Sequence, residues 1–102
     1  MAKLVALHNT PGDPAAFDAH MRSVHVPLVK NIPGIRSVAL SDGPVMTPLG
    51  PAPFHAVAIL GFASMADLQA GLGSPEGQAA AADLMGFSTG GSTILVFEHE
   101  DL

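Results

Sequence analysis

Two apolar sets interleave between Phe54 and Phe62, and no other segment narrows the possible folds so much. Phe54, Ala56, Ala58, Leu60 and Phe62 share one face of an extended chain, while His55, Val57 and Ile59 share the other. A strand apolar on both faces belongs in the middle of a sheet that is covered on two sides. Its neighbours come from shorter runs. Leu4 to His8 closes at Asn9-Thr10-Pro11-Gly12, which predicts a first strand and a turn. Ile35 to Asp42 predicts a second, with Val38 and Leu40 on one face and Ser37, Ala39 and Ser41 on the other. Residues 43–53 hold four of the nine prolines, so they read as a loop between two pairing strands. Thr93 to Glu98 predicts the last strand, after the glycine-rich connector Ser88-Thr89-Gly90-Gly91.

Helices fill the gaps. Asp13-Pro14 supplies an N-cap and a first-turn proline, opening a helix to about Lys30 that Asn31-Ile32-Pro33-Gly34 stops. Ser64 caps a short helix to about Leu72, and Ser74-Pro75-Glu76 opens a second piece to about Met85. The order β-α-β-β-α-β predicts an α+β, ferredoxin-like fold: a four-stranded antiparallel sheet with helices on one face. The other face, bare and apolar, is expected to pack on a second copy and close a dimeric α+β barrel.

Composition supports that expectation. In 102 residues, enough for one domain over 1–102, 48% are hydrophobic and only 13% charged. A net charge of −5 with four cations excludes a nucleic-acid footprint and attraction to anionic membranes. No window approaches the roughly 18 apolar residues of a membrane span, and no secretory leader is recognisable, so a cytoplasmic protein is expected. The absence of cysteine removes disulfides, thiol nucleophiles and thiolate metal sites together.

The chemistry concentrates on His25. Phe17, Met21, Val24 and Leu28 form a helical stripe, and His25 stands on its flank beside Met21, with Pro27 loosening the turn behind it. Such an imidazole is either a satisfied core side chain or a proton donor and acceptor on an apolar wall. Asp83 falls where the last helix should meet the first; it is either a solvated acid or the carboxylate that orients a histidine ring. No metal site is expected: His20 and His25, five apart, lie about 140° apart around an α-helix, and no carboxylate–histidine cluster is visible along the chain. No Gly-x-Ser-x-Gly elbow surrounds Ser37 or Ser41, and the late glycine-rich loop lacks the spacing and lysine of a phosphate cradle.

Lys3-Leu4-Val5-Ala6-Leu7, His25-Val26-Pro27-Leu28, Ile32-Pro33-Gly34, Ser64-x-x-Asp67-Leu68, Ser74-Pro75-Glu76-Gly77 and Asp83 together resemble the EthD-like proteins of the dimeric α+β barrel superfamily. The resemblance implies a homodimer of ferredoxin-like subunits, each with a small apolar pocket between sheet and helices. Relatives in that superfamily include cofactor-free monooxygenases, dehydratases and cyclases, lactone isomerases, and proteins of unclear activity encoded beside ether-degrading oxygenases. His25 matches the family's helix histidine and Asp83 its late-helix acid. Ala19, His20 and Met21 stand where members often carry aromatics, and the chain has no Tyr or Trp, which tells against a mechanism needing either.

The reading that follows is a cofactor-independent pocket enzyme. His25 would serve as general base on an apolar, oxygenated small molecule, with Asp83 orienting it. Phe17, Met21, Phe54, Leu60 and Phe87 would form the walls, with His55 or Ser41 as a second polar contact. The rival is a non-catalytic binding or accessory protein, and a third reading is haem binding, known elsewhere in the superfamily.

Overall fold

In the computed structural model, which describes Met1–Leu102, the chain opens with strand β1 (Ala2–His8). Asp13 then caps α1 (Pro14–His20), its carboxylate accepting from the Ala16 N–H at 3.1 Å. A single π-helical turn, Met21–His25, follows, and α2 (Val26–Lys30) completes the first helical arm. After β2 (Ile35–Leu40), residues 43–53 hold a two-stranded hairpin of β3 (Met46–Thr47) and β4 (Gly50–Pro51), where the sequence predicts only loop. The central strand is β5 (Ala56–Phe62). It begins two residues later than its alternation predicts, leaving Phe54 and His55 in the approach to the strand. Then come α3 (Met65–Gly73), α4 (Pro75–Phe87) and β6 (Ser92–Glu98). Ser64 and Ser74 cap the two helices through the Asp67 and Gly77 N–H groups, as their positions predict.

The four long strands form one antiparallel sheet in the order β2-β5-β1-β6, and the helices cover one face, so the fold is ferredoxin-like. Register decides which side chains the helices bury. Ala2 pairs with Phe62, Leu4 with Leu60, and His8 with Ala56. All six are buried, together with Val29, Ile32, Leu68 and Ala80 from the helical layer. Where α4 starts against the end of α3, a Cβ on Gly77 would collide with the Gly71 carbonyl oxygen and lie 2.6 Å from that of Leu72, so only glycine allows this approach. No helix is long and apolar enough to cross a membrane.

One expectation fails in an instructive way. The predicted stripe Phe17, Met21, Val24 and Leu28 is not the one that packs: Val24 is exposed, and the buried positions are Phe17, Met21, His25, Val29 and Ile32. The π turn explains the shift. The Val26 N–H bonds to the Met21 carbonyl five residues back, so the turn holds one residue more than an α-turn. Every later position therefore stands where its predecessor would have stood, and His25 moves from the flank of the stripe into its centre.

Candidate functional site

The same extra residue brings two histidines together. Residues five apart stack across a π turn as residues four apart do in an α-helix, so His20 and His25 approach one partner instead of diverging by the predicted angle. That partner is Asp83 of α4. His20 Nε2 lies 2.8 Å from Oδ1 and His25 Nδ1 lies 3.0 Å from Oδ2. A carboxylate–histidine cluster thus exists, although none is visible along the chain, because its acid comes from an element close to sixty residues away. A carboxylate accepts only, so the bonded nitrogen of each ring carries the proton. His25 therefore holds its proton on Nδ1 and presents a lone pair at Nε2. Burial pushes its pKa below the ordinary histidine value; the hydrogen bond and charge of Asp83 oppose that, and His20 adds to the lowering.

Aromatic packing sets the ring planes. Phe87 lies 4.4 Å from the His20 ring and 5.1 Å from that of His25, and it also packs on Phe17. Phe17 in turn meets His8 at 5.5 Å and His55 at 5.3 Å, edge to face. Four histidines are held around two phenylalanines. No His, Cys, Asp or Glu grouping in the chain is arranged to hold a metal ion.

Two cavities meet at this cluster. The inner one, about 220 Å³, lies between sheet and helices and is walled almost entirely by aliphatic side chains such as Leu4, Val29, Leu60 and Leu84, with His25 and His8 as its imidazoles. The outer one, about 500 Å³, opens between the π turn and the 43–53 segment and carries Asp18, Arg22, Ser41 and His55 beside Phe17 and Phe54. Met21 and Leu40 line both, so they form the partition.

The residues singled out from sequence are therefore divided. His25, Met21 and Leu60 line the inner chamber; Phe17, Met21, Ser41, Phe54 and His55 line the outer cleft; Asp83 and Phe87 stand behind His25 and line neither. Ser41 and His55 are not beside His25, and each is engaged elsewhere. The Ser41 hydroxyl accepts from the Val57 N–H at 3.0 Å, and His55 Nε2 donates to Asp18 at 2.7 Å. The inner chamber's second polar side chain is His8, which the sequence reading passed over. Its signal was present: His8 falls in alternation with Leu4 and Ala6 on the inward face of β1.

The EthD domain pattern matches residues 9–91, a stretch that contains His20, His25 and Asp83. The chain belongs to the EthD family. An EthD family protein of Bacillus halodurans, solved as a crystal structure, is 32% identical, with a TM-score of 0.89 over 98% of this chain and 99% of that one. In sequence the chain is also 41% identical to an uncharacterized 11.0 kDa protein of Rhodococcus erythropolis, from the thcB-thcC intergenic region, over 98% of this chain and 96% of that protein. More distant structures share the fold alone. SnoaB, a cofactor-independent oxygenase of Streptomyces nogalater, is 16% identical with a TM-score of 0.71, covering 99% of this EthD chain and 94% of its own. A dimeric, ferredoxin-like protein of unknown function from Bacteroides fragilis is 17% identical with a TM-score of 0.66, covering 96% and 95%.

Proposed function

We propose that this EthD protein is a small pocket enzyme that moves a proton on an apolar, oxygenated substrate without a bound cofactor, with His25 as the base. The observation that carries the reading is the buried His25 ring, tied at Nδ1 to Asp83, unbonded at Nε2 and lining an aliphatic chamber. A base works best when its partner fixes one tautomer and its surroundings exclude water. His25 takes a proton from a C–H or O–H made acidic by a neighbouring oxygen. The resulting anion is then reprotonated elsewhere, ejects a leaving group, or reacts with dioxygen. Asp83 positions the ring, and Phe17, Met21 and Phe87 hold the helix and ring in place. The fold shared with a cofactor-independent oxygenase supports this class of chemistry.

The test uses 2-indanone, a compact apolar ketone, in heavy water. Exchange of its acidic hydrogens, followed by proton NMR, is expected to run faster with the protein than with an equal concentration of free imidazole. A rate no greater than imidazole's overturns the reading.

The working unit under this proposal is a homodimer. Cross-strand register puts Val5, Leu7, Val57, Ile59, Leu95 and Phe97 on the sheet face that no helix covers, and Leu95 and Phe97 are 48% and 43% exposed. An apolar face of that kind is a self-association surface. Sedimentation at micromolar concentration is expected to give twice the chain mass; a stable folded monomer contradicts it.

A further inference from the structure

The reading of His25 leaves a second imidazole in the same chamber without a task. His8 is 1% exposed, and its ring lines the inner cavity together with His25. Its one side-chain hydrogen bond joins Nδ1 to the Ser92 hydroxyl at 2.7 Å, and Ser92 lies 2.8 Å from the Ser88 hydroxyl. The other ring nitrogen, Nε2, bonds to nothing in the protein, yet the chain has no fully buried polar side-chain atom without a partner. Nε2 therefore keeps a small accessible surface, on a ring that lines the cavity. His25 has the same construction, with Nδ1 held by Asp83, Nε2 bonded to nothing in the protein, and the ring lining the cavity.

The two supports differ in kind. Asp83 can only accept, which makes His25 Nε2 a lone pair. Ser92 can donate to Nδ1, and the Ser88 hydroxyl can supply Ser92 in its turn; with the bonds running in that direction the His8 proton sits on Nε2. An acceptor and a donor then face one small apolar space. That pairing suits one kind of molecule: a compact, mainly hydrocarbon compound with an acidic hydrogen on the carbon beside a carbonyl, as in an enolisable ketone.

We propose that His8 is the second catalytic group of the inner chamber, donating a hydrogen bond from Nε2–H to the substrate oxygen that gains negative charge as His25 removes the adjacent proton. The C–H bond breaks and an N–H bond forms at His25 Nε2. The electron pair passes into the new carbon–carbon double bond and the carbonyl pair moves onto oxygen. His8 holds that oxygen without giving up its own proton. Burial, aided by the nearby His25 and His55 rings, lowers the His8 pKa to about 4, so the ring stays neutral near pH 7 and acts as a donor that does not release an acid. Of the neighbouring titratable groups, Asp83 bonds to both His20 and His25, and His55 bonds to Asp18 in the outer cleft. This inference rests on the proposed role of His25 as base.

The experiment uses 4-nitrophenol, whose yellow anion imitates an enolate oxygen, with toluene as a ligand of similar size that has no oxygen. The parent is expected to bind the anion more tightly than the neutral phenol. His8→Phe should weaken anion binding roughly tenfold or more beyond any change in toluene affinity, the effect of losing a hydrogen bond to a charged group. Equal anion affinity in parent and variant overturns the proposal. Nitrogen-15 NMR of the histidines reads the same inference with no substitution: the proposal requires the Nε2–H form of His8, and the Nδ1–H form overturns it, whether or not His8→Phe folds. The two proposals also fail separately. No 2-indanone exchange with His8-dependent anion binding removes the base and keeps the donor; fast exchange with His8-independent binding removes the donor and keeps the base.

Discussion

His25→Gln is expected to slow the exchange of 2-indanone hydrogens by about a hundred to ten-thousandfold, the usual worth of a placed proton acceptor. The substitution is chosen for what it preserves. A glutamine amide can still donate toward Asp83, and Asp83 keeps its other bond to His20, so the cluster loses a base without leaving a buried charge unpaired. The melting temperature should therefore stay near that of the parent. In the parent, the rate should rise with pH as His25 loses its proton and level off above that point. Because burial outweighs Asp83, the rise should be centred below the ordinary histidine pKa of about 6.5. A His25→Gln protein that retains most of the exchange rate would make His25 a structural residue and return the protein to the class of binding modules.

Acid should unfold the protein through His8. A buried imidazole that titrates at about 4 in the native state and at 6.5 in the unfolded chain favours the unfolded state wherever only the latter binds a proton. Stability from this group is complete above pH 6.5 and declines as pH falls toward 4. The full difference is on the order of 3 kcal/mol, a large share of a small domain's stability. His25, also lowered, acts in the same direction. Urea unfolding at fixed protein concentration between pH 7 and pH 4.5 measures the slope, and His8→Phe should flatten it. A midpoint that does not move over that range would mean that the native His8 accepts a proton freely, against its burial and its bond to Ser92.

Much of this protein is written locally in its chain. Asp13, Ser64 and Ser74 announce three helix starts because a capping side chain bonds to an N–H only two or three residues ahead. The alternation of β5 declares its central place, since a pleated strand shows successive side chains to opposite faces wherever it is put. With the order of elements, these are enough for a ferredoxin-like sheet. His25 and Asp83 could be picked out as a possible pair for a related reason: element order alone brings the late helix back to the first.

Tertiary structure decided the rest. A period of 3.6 residues assigns side chains to faces only while the helix stays regular, and nothing in the spacing of Phe17, Met21, Val24 and Leu28 signals that Met21–His25 takes up one more residue. That residue buried His25 in place of Val24 and turned His20 toward Asp83, two outcomes that the regular spacing does not predict. The division of the pocket was equally hidden. Whether Ser41 and His55 stand beside His25 or across Met21 and Leu40 from it depends on how the helical arm lies over β2 and β5. His8 gained its place in the chamber from the same packing, with a serine brought beside it by the pairing of β1 with β6, eighty-four positions along the chain.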